Sequence, residues 1–572
     1  MRKLITLYFI FACLVAFSYN FYFANIHAHT SFSDGQGTPI EAYQYAKKYV
    51  HIQGVTDHAY YFRQKVNGTD KLALTKSMAE QVTENGKFVA LWGFEWTGGV
   101  GHINVYGTQN WTDRNESDLK ALYKWIVQNK ALAQFNHPGV TYGNFYDFDY
   151  DLEADTYINL IEVGNGNTSN RTITKEMYSN YKLALNKGWH VGATANQDNH
   201  RPNWGSANDT RTVILADSLT YESIMSALRE RRVYASEDRT AKIVFKCNGQ
   251  WMGSILKDAT QLVFEIELQD DEPFYEATLV SQSGDLKTWR INSNEFKTQY
   301  VCQPQDGYEW YFLYVIQKDW DEMITAPVWV QHGEVYVVNL RANPFGDGAE
   351  LFFDLINTTN ESTECDLQAF IGDQSQSLRV SVEARTKKET VLQFQNLPAG
   401  VHNITIAING QKAQTGVVEI KKNAVTIDQS HENAYGDFWK SVESYLNQLG
   451  VQIRYSTTYL KRIPSTPWLF IALPKKGGFA ESMTLNDFEI DTLVSYHRNG
   501  GKIVFVALKD SVVEESYNKL LERLVSTVRF AQTDKVVFKV NDLIFDSYAE
   551  DSIFFVSCEQ PSQLIQFIGG RL

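Results

Sequence analysis

The sequence predicts a multidomain α/β plus β protein with an N-terminal β/α barrel, two β-sandwich domains and a C-terminal doubly wound α/β domain. The first observation is the length of 572 residues, which exceeds what one hydrophobic core usually organises. The second is the distribution of sequence patterns along the chain. Helical periodicity alternates with apolar runs only in the first and last parts, and short predicted strands fill the middle. The expected segments are a leader at 1–18 and domains at 19–240, 241–335, 336–425 and 426–572.

The leader, MRKLITLYFIFACLVAFS, combines Arg2 and Lys3 with an apolar run that is short for a membrane span. It ends on a small-x-small pattern, which predicts a secretory signal peptide and an exported protein, periplasmic or on the cell surface. An uncleaved anchor is one alternative. Cys13 leaves a lipoprotein-type signal, and with it membrane anchoring, as another.

The barrel is predicted from alternating strand and helix patterns. The strand candidates are FYFANIHA, HIQGVT, KFVALWGFE, HINVYG, ALAQFNH, YINLIEVG, HVGATANQD and RTVILAD. The helix candidates are TPIEAYQYAKKY, LALTKSMAEQVTENG, DLKALYKWIVQNK, TKEMYSNYKLALNKG and TYESIMSALRERR. Alternation of this kind predicts a parallel sheet, and seven or eight units suggest that the sheet closes.

The middle of the chain reads as two β-sandwiches, because runs such as QLVFEIELQ and ELFFDLINTT follow one another without a long helical period. From about residue 426 helices return around the buried runs PWLFIALP and KIVFVAL, which predicts the α/β domain. Isolated histidines in these later domains are expected to be exposed: His332, His402, His431 and His497.

Composition excludes some functions. The formal charge of −14 and the absence of a dense Lys/Arg block argue against a nucleic-acid surface. Four cysteines follow the leader, far apart and without a C-x-x-C pair, so neither a disulfide scaffold nor a Cys-type zinc site is expected. Pairing of Cys247 with Cys302 is left open.

Nine residues of metal-ligand type fall in the first α/β region, most of them at the ends of predicted strands, with Asp34 in a loop and His102 at the start of a strand. In HAHTSFSDG, His27 and His29 are two apart, so in an extended strand both imidazoles point to one face. One histidine at a strand end is weak evidence, but the joint pattern needs a common cause, and the carboxyl ends of barrel strands share one rim. The candidate ligands are His27, His29, Asp34, His58, Glu95, His102, His137, Asp198 and His200.

The motifs HAHTSFSDG, GVTDH, FNHP and QDNH resemble those of the polymerase and histidinol phosphatase (PHP) superfamily, over residues about 20–240. GFEWTGGVGHINVYG looks like the branch named after the carbaryl hydrolases CehA and McbA. The resemblance implies a distorted (β/α)7-type barrel with two or three divalent metals. By motif, His27, His29 and Asp198 would hold one metal, Glu95 would bridge to a second held by His102 and His137, and Asp34, His58 and His200 would hold the third.

Imidazole with carboxylate suits Zn, Mn or Fe. Ions about 3.5–4 Å apart can lower the pKa of a bound water to about 7, so no protein nucleophile is required. Asp34 stands where many relatives carry a histidine, so the third position is expected to be weaker or to prefer a harder ion. Asp57 is assigned a supporting catalytic role, orienting or polarising a neighbour by accepting a hydrogen bond. Glu162, at a strand end, is expected either to support a ligand or to pair with a cation.

An anionic substrate needs a cation besides the metals. Arg201 is the leading candidate because it lies in the loop after Asp198, and Arg63 and Lys65 are weaker ones. The predicted function is an exported metal-dependent hydrolase, a phosphoesterase that uses metal-activated water on a small anionic ester. Hydrolysis of a carboxylic or carbamic ester, or metal binding without turnover in a surface protein, are the alternatives.

The C-terminal domain looks like the flavodoxin-like folds related to glutamine amidotransferases. An amidotransferase needs a cysteine at a strand-to-helix elbow, and KIVFVALKDS has none. Amidase activity is therefore not expected, and binding of a protein partner is the default role.

Overall fold

The computed structural model describes residues 19–569 and 571, apart from 346, 347, 421, 422, 457–459, 461–465 and 479. The predicted leader lies outside the described residues. Within the part of the chain that the structure describes, no helix is both long and apolar enough to cross a membrane. The helices are Pro39–Ala46 (α1), Lys71–Val82 (α2), Leu119–Asn129 (α3), Lys175–Lys187 (α4), Tyr221–Arg229 (α5), Gly436–Gln448 (α6), Ala480–Met483 (α7), Asp487–Arg498 (α8), Glu515–Arg523 (α9) and Pro561–Ile568 (α10).

Nine strands form the N-terminal region: Asn20–Asn25 (β1), Ile52–Val55 (β2), Val89–Gly98 (β3), Gly101–Tyr106 (β4), Leu132–Asn136 (β5), Ile158–Asn165 (β6), Gly192–Asn196 (β7), Arg211–Ala216 (β8) and Val233–Ser236 (β9). Pairing runs continuously from β1 to β7. A bridge between Ala28 and Asn199 then joins the extension of β1 to that of β7. The strands therefore meet around a ring in which the carboxyl ends of all but β4 face one side.

The expectation of a wholly parallel sheet is wrong at β4 and β8. Strand β4 is antiparallel to both β3 and β5, and β8 is antiparallel to β1. The connection from β3 to β4 is only Gly99-Val100, and two residues can make a hairpin but not the crossover that parallel strands need.

The predicted helices begin at side-chain caps. Thr38 forms a capping box with Glu41 ahead of Pro39, and Asp70, Asp118, Thr174 and Thr220 cap the next four helices. These caps fix where each helix leaves the loop after its strand. Two short 3₁₀ turns, Ala59–Arg63 and Ala154–Thr156, and a left-handed turn at Phe145–Phe148 complete the region.

The middle of the chain is β-structure, as predicted. The strands after the barrel are Lys242–Cys247 (β10), Gln250–Trp251 (β11), Ile255–Lys257 (β12), Leu262–Ser281 (β13), Gly284–Cys302 (β14), Tyr308–Gln317 (β15), Glu322–Thr325 (β16) and Val328–Gln331 (β17). Because β16 pairs with β9, this sheet continues the barrel sheet. Cys247 and Cys302, on neighbouring strands, are both free thiols.

A second β-domain has its own core between a three-stranded and a four-stranded sheet. Its strands are Val335–Phe345 (β18), Gly348–Asn357 (β19), Thr363–Ile371 (β20), Gln374–Val382 (β21), Thr386–Phe394 (β22), Gly400–Ile408 (β23) and Gln411–Ile420 (β24). The coarse prediction of a multidomain α/β plus β chain is confirmed by these sheets.

The C-terminal domain has five parallel strands in the order β26-β25-β27-β28-β33, followed by antiparallel β32. Its strands are Asn423–Asp428 (β25), Val451–Ser456 (β26), Trp468–Ala472 (β27), Lys502–Ala507 (β28), Val528–Gln532 (β29), Val536–Val540 (β30), Leu543–Phe545 (β31), Ser547–Glu550 (β32) and Ile553–Ser557 (β33). The Ser482 hydroxyl of this domain donates to the Gly99 carbonyl (2.5 Å) in the β3–β4 turn.

The expectation that His431 is exposed is wrong, since its side chain is fully buried. Its Nδ1 lies 3.2 Å from Asp428 at the end of β25, and its Nε2 lies 3.1 Å from Glu489 in α8. Two carboxylates thus surround one imidazole in this C-terminal cluster of Asp428, His431 and Glu489. The sequence separates Glu489 from the other two by more than fifty residues, so only the fold brings them together.

Candidate metal centre

The extension of β1 carries the first two candidate ligands. The strand ends at Asn25, and His27 and His29 continue beside the β7 extension, where Asp198 N–H donates to the His27 carbonyl (3.1 Å). Ala28 points into the apolar core, so both imidazoles face the other way. Their Nε2 atoms lie 3.2 Å apart, and both side chains are buried.

The β3–β4 hairpin carries the next two candidate ligands, Glu95 and His102. Its register sets Thr97 opposite His102 and Glu95 opposite Asn104, so all four side chains share a face. Asn136, opposite His102 on β5, donates to Glu95 Oε1 (2.8 Å). The Glu95 carboxylate is thereby held in the interior at 1% exposure.

Five imidazoles surround Glu95. The nearest is His58, whose Nδ1 is 2.7 Å from Oε2. The Nε2 of His29 is 3.6 Å from the same oxygen. The other three contact Oε1 at slightly shorter range: His27 Nε2 at 3.5 Å, His102 Nδ1 at 3.4 Å and His137 Nε2 at 3.5 Å.

The outer part of the site is more open. Asp34 Oδ2 is 3.6 Å from His58 Nε2, and Asp34 Oδ1 is 3.4 Å from His200 Nε2. The side chains of Asp34 and His200 are 38% and 39% exposed. The His29 ring is shared between this outer part and the buried one, since it lies 4.3 Å from the His200 ring between centroids.

The structure therefore brings all nine candidates into one group, which we call the rim cluster. They form four overlapping sets whose ligand atoms lie within 4.8 Å of one another: His29, Asp34, His58 and His200; His27, His29 and Glu95; His27, His137 and Asp198; Glu95, His102 and His137. The overlap at His27, His29, Glu95 and His137 leaves the division among individual metals a prediction.

The spacing of these atoms fits metal ions better than hydrogen bonds. Four atoms about 2.1 Å from a tetrahedral ion lie about 3.4 Å from one another. Many rim distances fall at 3.4–3.6 Å, beyond the usual hydrogen-bond range. Moreover, among the described residues no hydrogen-bond partner exists for two buried ring nitrogens of the cluster, His102 Nε2 and His137 Nδ1.

The electrostatics of the rim cluster also favour cations. Burial opposes protonation of His27, but Asp198, Glu162 and Glu95 outweigh it and raise the pKa of that imidazole to about 10. Burial likewise opposes ionisation of Glu95, yet the surrounding imidazoles hold its pKa well below the usual range. The site thus attracts positive charge, either as protons or as metal ions in their place.

The Glu162 carboxylate contacts two of the candidate ligand residues, His27 and His137. Its Oε1 lies 3.0 Å from His27 Nδ1 and accepts from Asn196 (2.9 Å), and its Oε2 accepts from the His137 backbone N–H (2.9 Å). A carboxylate on the far nitrogen of a ligating imidazole fixes the ring orientation and raises its basicity. Of the two roles expected for Glu162, this contact favours support of a ligand.

Asp57 lies below the loop that follows His29. Its buried carboxylate accepts from the Thr30 backbone N–H (2.7 Å), the Thr30 hydroxyl (2.6 Å) and the Ser33 hydroxyl (2.5 Å). Ser33 Oγ is also 3.4 Å from His29 Nδ1. Asp57 therefore holds the loop that carries His29 and Asp34, and its predicted catalytic support would act through these hydrogen bonds.

The candidate cations differ in their surroundings. Arg201 is exposed in the loop after His200. Arg63 is engaged with Asp113, to which Nε and Nη2 donate at 2.6 and 2.8 Å, and Lys65 is exposed. Arg63 is thus already paired within the protein, and substrate binding by Arg201 stays a prediction.

Sequence reasoning missed Thr97, Tyr60 and Tyr142. Thr97 Oγ1 lies 2.7 Å from His58 Nδ1. The Tyr60 ring stacks at 5.5 Å and 22° to the His58 ring, and the Tyr142 ring is 4.6 Å from that of His137. Both tyrosines closely follow a ligand histidine in the chain, but they lie in irregular turns whose direction no periodicity predicts.

Two of the candidate ligands have left-handed backbone conformations, His137 at φ +27° and Asp198 at φ +47°. Such conformations are uncommon in residues other than glycine and are concentrated at functional sites. Here His137 turns the chain directly after β5, and Asp198 turns it two residues after the end of β7, and both side chains belong to the rim cluster.

No family model matches the chain, and neither does any curated protein. Among solved structures, it is similar to a two-domain protein from Bacteroides vulgatus ATCC 8482 that contains a predicted PHP-like metal-dependent phosphoesterase, at 18% identity and TM-score 0.33, covering 54% of this chain and 95% of that one. It is also similar to a GH2 β-galacturonidase from Eisenbergiella tayi at 11% identity and TM-score 0.20, covering 46% of this chain and 61% of that one. These values leave the function to be argued from the site itself.

Proposed function

We propose that this protein is an exported metal-dependent hydrolase of the PHP superfamily that cleaves phosphate esters at the rim cluster. The observation that carries the proposal is the convergence of six imidazoles and three carboxylates at spacings typical of shared metal ions. The export part depends on the leader sequence alone.

Divalent ions held there would supply a water of lowered pKa and positive charge for the oxygens of the ester. The residues of the chain have separate tasks around that chemistry. Glu95 presents its carboxylate to both the inner and the outer imidazoles, and Glu162 fixes the orientation of His27. Asp57 holds the loop beside the site through Thr30.

Access is expected from the outer side of the cluster. Asp34 and His200 are partly exposed, whereas Glu95 and His27 are buried. Tyr142, at 42% exposure, covers the rings of His102 and His137. A substrate would therefore approach over Asp34 and His200 with its ester directed inward.

The proposal is tested by elemental analysis of protein purified without added metal, combined with hydrolysis assays. Phosphomonoesters, phosphodiesters, aryl carboxylic esters and aryl carbamates are compared with and without chelator. The variant His58→Ala removes a ligand shared by the inner and outer parts, and His332→Ala, in the first β-sandwich, is the matched control.

We expect two or three metals per chain and phosphate ester hydrolysis that is lost with chelator and in His58→Ala but not in His332→Ala. A preference for carboxylic or carbamic esters would replace the phosphoesterase assignment with the alternative ester chemistry. Metal without turnover of any ester would favour a binding protein, and protein free of metal would overturn the proposal.

A further inference from the structure

Tyr60 extends the outer part of the rim cluster toward solvent. It lies in the 3₁₀ turn that begins directly after His58, and the two rings are nearly parallel, at 22° with centroids 5.5 Å apart. The ring is only partly buried, so one part faces the ligands and another faces the opening.

Arg114 stacks on this ring. Its guanidinium carbon lies 4.2 Å from the centroid of Tyr60, within the range of a cation–π contact. Arg114 itself is exposed. His58, Tyr60 and Arg114 thus form a continuous stack that leads from a candidate metal ligand out to a guanidinium.

The loop that carries Arg114 is anchored on both sides of it. The buried Asp113 accepts from Arg63 and from the Asn115 backbone N–H (2.9 Å), and its carbonyl accepts from the Ser117 N–H (2.9 Å). Ser117 Oγ in turn accepts from Trp96, the neighbour of Glu95 in β3 (3.1 Å). The position of Arg114 is therefore tied to the same hairpin that holds Glu95 and His102.

Arg114 also differs from the arginine beside it. Arg63 is held by a bidentate bond to Asp113. In the described part of the chain, no carboxylate lies within 4 Å of the Arg114 guanidinium, which keeps its N–H donors for another group. An arginine presented on a fixed loop and flat on an aromatic ring suits planar, bidentate recognition of phosphate or carboxylate.

We propose that Arg114, positioned by Tyr60, binds a second anionic group of the substrate, one side-chain layer away from the ester at the metals. This inference rests on the proposed function and narrows its substrate class to phosphate esters whose other part carries a carboxylate or phosphate. Tyr60 acts as a positioning residue and Arg114 as the residue that determines specificity.

Two phosphonates test this in the manganese-loaded protein by isothermal titration calorimetry. 4-Carboxyphenylphosphonate carries a second anionic group across a phenyl ring and phenylphosphonate does not. We expect 4-carboxyphenylphosphonate to bind wild type about 10–100-fold more tightly, as a charge-assisted hydrogen bond implies. Arg114→Ala should bring this ratio close to one, and Arg114→Lys should retain part of it.

The variants at Tyr60 test whether its aromatic ring, and not its hydroxyl group, positions Arg114. Tyr60→Phe keeps the ring and should keep the ratio, whereas Tyr60→Ala should lower it. Arg290→Ala is the matched control, because that arginine stacks on Tyr275 (4.9 Å) in the first β-sandwich, away from the rim cluster. The same variants should change the ratio of kcat/KM for 4-carboxyphenyl phosphate to kcat/KM for phenyl phosphate in the same direction as the ratio of the two phosphonate affinities.

Equal binding of the two phosphonates by wild type, or an unchanged ratio in Arg114→Ala, would overturn the inference, as would loss of the ratio in Arg201→Ala instead. Hydrolysis of both phosphate esters with an unchanged ratio of their kcat/KM values in Arg114→Ala would leave the proposed function standing and exclude Arg114 as the residue that determines specificity. A metal-bound protein that discriminates the phosphonates but hydrolyses no ester would support anion binding by Arg114 and contradict the proposed hydrolase function.

Discussion

The rim cluster and the C-terminal cluster are built from the same residue types and arranged in opposite proportions. At the rim, six imidazoles share three carboxylates, and the His27 and His29 nitrogens are in contact with each other. In the C-terminal cluster, one imidazole lies between Asp428 and Glu489. In the second arrangement a protonated histidine has one ring N–H for each carboxylate, and no two imidazole nitrogens face each other.

The difference separates the candidate metal site from a buried group of one imidazole and two carboxylates. Burial opposes protonation of His431, but Asp428 and Glu489 outweigh it and raise the pKa of that imidazole to about 10. An excess of imidazoles leaves nitrogen lone pairs facing one another unless a proton or a metal ion lies between them. The ratio of imidazoles to carboxylates is therefore more informative than the presence of either.

The largest effect is expected from Glu95→Gln. Its carboxylate contacts five imidazoles, and an amide of the same size supplies one weak oxygen ligand and an N–H₂ group that repels cations. We expect the protein to lose its bound metal and its hydrolysis to fall to the uncatalysed background. Elemental analysis and the phosphate ester assay measure this, with the exposed Glu116→Gln as control. Retention of full metal content in Glu95→Gln would contradict a centre organised around this residue.

The variant His431→Gln should change only the stability of the C-terminal domain. Removing the imidazole leaves two buried carboxylates uncompensated, at a cost of about 3–5 kcal/mol in the free energy of unfolding of that domain. Urea unfolding followed by fluorescence measures the loss, and His497→Gln, partly exposed in the same domain, is the control. Metal content should stay unchanged. A loss of metal in His431→Gln would show that the two regions are not independent.

Glu162→Gln is expected to weaken the rim cluster without removing a ligand. The variant takes the negative charge from the far side of His27, and loss of such a partner typically lowers metal affinity about 10–100-fold. Competition with a fluorescent chelator measures the affinity. Glu176→Gln, on the exposed face of α4, is the comparison. Equal affinity of Glu162→Gln and wild type would exclude the supporting role.

The two clusters should also respond to opposite changes of pH. The folded-state pKa of His431 is raised above its unfolded value, so its contribution to stability is complete below about 6.5 and is lost as pH rises through about 10. The rim cluster should instead release metal as pH falls, because protons compete for its imidazoles. Unfolding of the C-terminal domain and metal content, both measured between pH 5 and 10.5, check this. Alkaline stability equal to that of His431→Gln at every pH would contradict it.

Much of the candidate site was predictable from strand-end patterns. His27 and His29 follow from the alternation of an extended strand, Glu95 lies near the carboxyl end of β3, and His137 and Asp198 come after the buried strands β5 and β7. Their carboxyl-end position needs only local sequence and the rule that parallel strands share a direction. The antiparallel β4 escaped prediction, although the two-residue turn before it is too short for a crossover.

Other features depended on contacts between distant segments. Tyr60 and Arg114 are 54 residues apart and lie in irregular loops, so no repeat in the sequence relates them. The burial of His431 depends on Glu489 from a helix nearly sixty residues later. The sequence places Glu162 near the end of a predicted strand. Its contact with His27 depends on the closure of the ring of strands, which the sequence does not specify.

The sequence by itself determined the kind of ligands, their order along the chain and the strand ends that carry them, because side-chain alternation and helix caps act over a few residues. The tertiary structure alone decided which candidate ligands come together in the rim cluster, that two carboxylates flank His431, and that Arg114 lies on Tyr60 with no carboxylate of the described residues within 4 Å. Those outcomes depend on distances of 3–4 Å between segments far apart in the chain, and a local pattern cannot specify them.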